Sequence, residues 1–142
     1  MGFLDTLFRK KINCPPLDST SVAATRIAAR SAELEPLVRK IHVRLELVPA
    51  ADTVYVFLDK PPGAFGLAWF ENDREVNFTS LKADQGVSQG RIQILSKKLG
   101  AAYKKSAAVA RFSLTIAGRE VQVTPSDDLA AEIRQAIDEA VS

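Results

Sequence analysis

Apolar and polar residues alternate along residues 41–48, and this period of two residues is typical of a half-buried β-strand. The apolar face carries Ile41, Val43, Leu45 and Leu47, and the polar face carries His42, Arg44 and Glu46. A second apolar segment, 53–59, follows the four-residue connection 49–52. The pattern predicts an antiparallel hairpin in which Leu47 faces Val54.

The stretch PPGAFGLAWFENDREVNF, residues 61–78, contains the only tryptophan of the chain. Asn72-Asp73 are suited to a two-residue turn because both residue types tolerate positive φ angles. In the hairpin that this turn predicts, Trp69 pairs with Val76, and the second strand continues to Phe78. Most of the aromatic residues then fill one core-facing side of the hairpin.

Phe70 does not fit this arrangement, because the other residues on its face of the hairpin are small or polar. Two explanations remain open. Either a helix covers that face, or Phe70 is exposed and contacts a partner. Phe70 is therefore one candidate for a partner-binding residue.

From Ser88 to Lys105 the hydrophobic period lengthens to that of an α-helix. Its apolar stripe consists of Ile92, Leu95, Leu99, Ala102 and Tyr103, and its polar side carries Lys97, Lys98, Lys104 and Lys105. Residues 85–119 contain seven basic residues and no acidic one. The lysines therefore have no partner within their own helix. Either the acidic C-terminal helix covers them or they face solvent, and we expect solvent, where an anionic partner can reach them.

Other helices are predicted at both ends of the chain. Residues 3–11 have an amphipathic pattern, and Asp18 is suited to cap an alanine-rich helix that Pro36 ends or kinks. A third hairpin around Gly118 pairs Leu114 with Val123, and an amphipathic helix follows it. The order of elements is α-α-β-β-β-β-α-β-β-α.

Short connections between strands imply antiparallel pairing, so the order of elements predicts the α+β class. We expect an antiparallel sheet of about six strands in hairpins, with N-terminal helices, one central basic amphipathic helix and a C-terminal helix. The length of 142 residues fits a single domain, 1–142. Within it, residues 1–17 are expected to form a mobile or docking N-terminal helix plus a linker.

The amino-acid composition limits which metal sites, membrane segments and cellular locations are expected for this chain. Cys14 is the only cysteine and His42 the only histidine, so a zinc cluster of nitrogen and sulfur ligands is not expected. The longest uncharged apolar run, 64–70, is too short for a transmembrane helix. Asp5 interrupts the apolar residues near the start, so no signal peptide is predicted. A single cysteine suits a reducing compartment, and we expect a cytoplasmic location.

One motif suggests hydrolase chemistry. The segment GVSQG, residues 86–90, matches the G-x-S-x-G pattern of a nucleophile elbow, in which a sharp strand-to-helix turn exposes the serine. However, His42 precedes Ser88 in the chain, the segment before the motif is polar, and the predicted sheet is antiparallel. Ser88 is better explained as a helix N-cap. The same loop, with Arg91 nearby, could also bind an anion.

These observations predict a non-catalytic protein that binds another macromolecule, most simply another protein. The alternative is binding of an anion or a nucleic acid through the basic helix 91–105, and a less favoured one is a small serine hydrolase using Ser88. Homo-oligomerisation stays open. No catalytic, cofactor-binding or metal-binding residue is predicted. The candidate partner-binding residues are Phe70, Arg91, Lys97, Lys98, Lys104 and Lys105.

Overall fold

The computed structural model describes residues 13–61 and 63–142. Within these ranges the α-helices are α1 (Val22–Ala28), α2 (Ser31–Lys40), α3 (Phe78–Gln85), α4 (Gln89–Lys105) and α5 (Asp127–Val141). The strands are β1 (Leu45–Pro49), β2 (Val54–Leu58), β3 (Gly66–Glu71), β4 (Arg74–Asn77), β5 (Phe112–Ile116) and β6 (Arg119–Val123). The predicted α+β class and six-stranded sheet are confirmed, whereas the helix predicted over 3–11 lies outside the described residues.

The six strands form one sheet in the order β4-β3-β2-β1-β6-β5. All neighbours are antiparallel except β1 and β6, which pair in parallel with Leu47 opposite Val123. The parallel pair arises because α3 and α4 separate β4 from β5. A connection of this length allows the last hairpin to join the sheet on the far side of β1.

The hairpin formed by β3 and β4, at one edge of the sheet, has the predicted register. Trp69 lies opposite Val76, and Glu71 lies opposite Arg74. The turn residues Asn72 and Asp73 have φ angles of 52° and 61°. These positive values match the turn type whose twist suits an antiparallel hairpin.

The predicted registers of the other two hairpins are wrong by two residues. Leu47 lies opposite Val56, because β1 extends through Pro49 and the turn begins one residue later. Leu114 lies opposite Val121, because the turn at Ala117-Gly118 takes only two residues. A shift of two residues leaves every side chain on its predicted face, whereas a shift of one would invert the faces.

Two helix boundaries also differ from the prediction. The alanine-rich segment forms two helices, and Pro36 lies inside α2, so of the two alternatives for this residue the one in which it ends the helix is wrong. Ser21 caps α1 by accepting a hydrogen bond from the Ala24 N–H, at 3.1 Å. Phe78 does not continue β4. It begins α3, because the Asn77 and Ser80 side chains form a reciprocal capping box there.

Helices cover both faces of the sheet. On one face, α1 and α2 contribute Ile27, Leu34, Leu37 and Val38 to a core that includes Phe70. On the other face, α4 and α5 pack against Trp69 and Phe57. Phe70 is only 4% exposed. The helix-covered alternative is therefore correct for this residue, and Phe70 is not available as a partner-binding surface.

None of the helices in the described part of the chain has the length and apolar character that a membrane crossing requires.

The burial of Trp69 gives a test of the fold. The Trp69 side chain is fully buried, and its Nε1–H donates a hydrogen bond to Glu71 Oε2 at 2.7 Å. Trp69→Ala should lower the free energy of unfolding by about 3–5 kcal/mol, measured by urea denaturation. The wild-type protein should show blue-shifted tryptophan emission. An emission maximum typical of free indole would contradict the packing.

Candidate functional site on helix α4

Helix α4 begins at a capped N-terminus. The Ser88 Oγ accepts a hydrogen bond from the Arg91 N–H at 3.2 Å, as expected for an N-cap residue. The segment before it is helix α3, which ends at Gly86 with a φ angle of 65°. A nucleophile elbow requires a strand at this place. The surroundings of Ser88 therefore match the cap interpretation and not the strand–turn–helix arrangement of a hydrolase.

The inner face of α4 packs on the sheet through the predicted apolar stripe, which ends at Tyr103. The Tyr103 hydroxyl donates a hydrogen bond of 2.6 Å to Oε1 of Glu46 in β1. The Glu46 side chain was expected on a polar outer face, but the residue is only 4% exposed. The expectation fails because helices cover both faces of the sheet.

Glu46 is the centre of a buried polar network. Its Oε1 also accepts a hydrogen bond from Gln122 Nε2 at 2.9 Å. Its Oε2 accepts one from Thr124 Oγ1 at 2.5 Å and lies 3.5 Å from Arg111 Nε. Burial, followed by the hydrogen bond to Glu46, raises the pKa of Tyr103 to about 12. These contacts connect β1, β6 and α4, and they fix the rotation of α4 about its axis.

On the outer side of α4, two of the four lysines have acidic partners in α5. Lys98 Nζ lies 2.7 Å from Glu139 Oε2, and Lys105 Nζ lies 2.7 Å from Glu132 Oε1. Both lysines are exposed to solvent, as expected, but each also has an ion-pair partner in the acidic C-terminal helix. The apolar stripe of α5 occupies a different side of that helix, which leaves its acidic residues free to reach α4. The hydrogen bond to Glu132 raises the pKa of Lys105.

Lys97 and Lys104 have a different environment. Both are exposed, and neither side chain forms an ion pair or a hydrogen bond with another residue in the described part of the chain. They lie in a surface groove of about 430 Å³, which we call the α4 groove. Its lining residues are Gly63, Phe65, Gln93, Ser96, Lys97, Gly100, Ala101 and Lys104.

Helix geometry explains the shape of the α4 groove. Lys97, Gly100, Ala101 and Lys104 have the spacing i, i+3, i+4, i+7, which places them on one stripe of a helix. The two small residues therefore form the floor between the two lysines. Apart from its chain neighbours and the nearby backbone of its own helix, no described atom lies within 4 Å of the position that a Gly100 Cβ would occupy. Phe65 forms the facing wall, and its ring centroid lies 5.9 Å from that of buried Phe57.

Arg91 does not contribute to this groove. Its Nη1 donates hydrogen bonds to the carbonyl oxygens of Ala140, at 3.3 Å, and Ser142, at 2.6 Å. The guanidinium therefore connects the start of α4 to the end of α5. Of the six candidate residues, Lys97 and Lys104 are the two that line the α4 groove, and their side chains are unpaired within residues 13–61 and 63–142.

The uncharged residues of the site are not evident from the sequence. The hydrophobic pattern places Phe65 with Trp69 on the core-facing side of their hairpin, and it gives no role to Gly100. A signal was nevertheless present, because a glycine in the middle of a helix costs about 1 kcal/mol relative to alanine. Such a glycine indicates either a close packing contact or an open site. Here it marks the open floor of the groove.

Across residues 13–61 and 63–142, no group of three or more His, Cys, Asp or Glu side chains is arranged to hold a metal ion. Comparison with protein-family models, curated proteins and solved structures finds no match for the chain. The function must therefore be argued from the site itself.

The raised pKa of Tyr103 predicts a pH dependence of stability. Tyrosine in the unfolded chain ionises near pH 10, whereas Tyr103 in the fold ionises at about 12. Between these values the unfolded chain loses a proton that the folded protein keeps. The free energy of unfolding should therefore fall as the pH rises, by at most about 1.4 kcal/mol per pH unit from this group.

Urea denaturation at about pH 9 and about pH 11 measures this fall, and the Tyr103→Phe variant is the reference because it retains every other titrating group. The variant should lose less stability than the wild type over this interval. An equal loss in both proteins would show that Tyr103 titrates normally.

Proposed function

We propose that this protein is a non-catalytic binding domain that recognises an acidic segment of another protein through the α4 groove. The observation that supports this proposal is that the four lysines of α4 fall into one paired and one unpaired set. Lys98 and Lys105 are paired with α5, whereas Lys97 and Lys104 are unpaired among the described residues and flank an open groove.

Unpaired ammonium groups beside a concave surface attract carboxylates, because the low-dielectric walls of a cleft concentrate the electric field. Lys97 and Lys104 lie on one stripe of α4, so both can contact the same ligand. Lys98 and Lys105 lie about 100° away from them around the helix. Their charge is already balanced by Glu139 and Glu132.

The number of available cations favours a protein ligand over a nucleic acid. Nucleic-acid binding proteins typically neutralise roughly 6–10 phosphates. Five of the seven basic residues between 85 and 119 interact with the protein's own groups, namely Arg91, Lys98, Lys105, Arg111 and Arg119. Two available lysines suit a short segment with two carboxylates better than a phosphate backbone.

A pair of double variants tests the proposal. Lys97→Gln with Lys104→Gln removes the charge at the groove, and Lys98→Gln with Lys105→Gln removes the same net charge outside it. Fluorescein-labelled poly-L-glutamate is the probe, and labelled oligodeoxythymidylate of similar charge is the nucleic-acid comparison. We expect the groove variant to bind poly-L-glutamate at least about tenfold more weakly than the wild type, with a loss of less than about threefold in the control variant.

Both variants should keep the circular dichroism spectrum of the wild type, because exposed ion pairs contribute little to stability. Equal losses in the two variants would show that only net charge matters, which contradicts the proposal. Tighter binding of the oligonucleotide with the same dependence on Lys97 and Lys104 would favour the nucleic-acid alternative. Absence of poly-L-glutamate binding at low salt would also reject the proposal.

A further inference from the structure

We infer that the α4 groove selects an acidic segment with an apolar side chain midway between two carboxylates. This inference rests on the proposed function, because it assigns a specificity to the same site. The expected ligand is an extended segment of the pattern Glu-x-Leu-x-Glu or a close chemical equivalent. The two carboxylates would bind Lys97 and Lys104, and the apolar side chain would enter the groove between them.

The floor and wall of the groove are suited to an apolar group. Gly100 and Ala101 carry little or no side chain, and no neighbour outside the local helix backbone lies within 4 Å of a Cβ placed on Gly100. Phe65 provides an aromatic surface on the other side. The groove volume of about 430 Å³ lies within the range of roughly 300–1,000 Å³ that is common for ligand sites.

The spacing of the lysines matches an extended ligand. Seven residues of α-helix separate the Cα atoms of Lys97 and Lys104 by about 10.5 Å. In an extended chain, residues i and i+4 are about 13 Å apart, and residue i+2 lies between them on the same face. The flexible four-carbon side chains of the lysines can span this small difference. One face of the ligand therefore presents acid, apolar group and acid in the order that the groove requires.

The groove is formed before any ligand arrives. The Phe65 ring packs on Phe57, and the Phe57 ring packs edge-on against Tyr103 with a centroid separation of 5.2 Å. Tyr103 in turn belongs to α4 and is held by Glu46. The wall and the floor are thus connected through buried rings. A preformed site avoids the ordering cost that weakens binding by mobile surfaces.

Filling the groove tests the inference. Gly100→Leu places a side chain where an apolar ligand group would bind, and its Cβ would enter open space. Gly90→Leu is the matched control, because Gly90 lies on the same helix outside the groove and its nearest neighbour would be Ser88 Oγ at 4.0 Å. Circular dichroism and thermal unfolding establish that both variants are folded.

The probes are two labelled peptides, one with Glu-Ser-Leu-Ser-Glu and one with Glu-Ser-Ser-Ser-Glu between neutral ends. The wild type and Gly90→Leu should prefer the leucine peptide by about tenfold. Gly100→Leu should lose this preference. If Gly100→Leu does not fold, Ala101→Leu, which fills the same floor from an exposed position, provides the same test.

The outcomes separate this inference from the proposed function. Equal binding of both peptides to the wild type, with loss in the Lys97→Gln, Lys104→Gln variant, would retain the proposed function and overturn the apolar specificity. A leucine preference that survives in Gly100→Leu would also overturn it, because the groove would not be the site of selection. Failure of both peptides and of poly-L-glutamate to bind would reject the proposed function itself.

Discussion

The buried carboxylate of Glu46 is the constraint on which the arrangement of the other elements depends. A polar or charged group in the interior is destabilising unless it is paired and hydrogen-bonded. The four groups that satisfy Glu46 come from α4, β6, the residue after β6 and the segment before β5. These contacts join the four segments to β1, and displacing any one of them would remove a partner from the buried carboxylate.

The rotation of α4 determines what the surface can do. With Tyr103 directed at Glu46, the stripe of Lys97, Gly100 and Lys104 faces the loop that carries Phe65. The stripe of Lys98 and Lys105 faces α5 instead, where its charge is neutralised. A helix with uniform basic character in the sequence thus has one side committed to the fold and one side available to a ligand. The hydrogen bond between Tyr103 and Glu46 thus belongs to the buried polar network and also orients the proposed binding surface.

Features that depend on local sequence could be predicted. The Trp69–Val76 register follows from turn chemistry, and the apolar stripe of α4 and the Ser88 cap follow from helix periodicity. Features that depend on packing between distant segments could not. Glu46 alternates with apolar residues and is therefore expected to be exposed. Helices cover both faces of the sheet, however, and they bury Glu46 on the face of α4 and Phe70 on the opposite face. The pairing of Lys98 with Glu139 joins residues 41 positions apart, which no periodicity reveals.

The most direct test of the account is a nuclear magnetic resonance titration of the ¹⁵N-labelled protein with the Glu-Ser-Leu-Ser-Glu peptide. Saturable shifts of the backbone amides should be largest at Phe65, Gly100 and Ala101, which line the α4 groove on two separate elements. The amides of α1 and α2, on the opposite face of the sheet, should change little. Shifts concentrated on α1 and α2, or distributed over the whole surface, would contradict binding in the α4 groove.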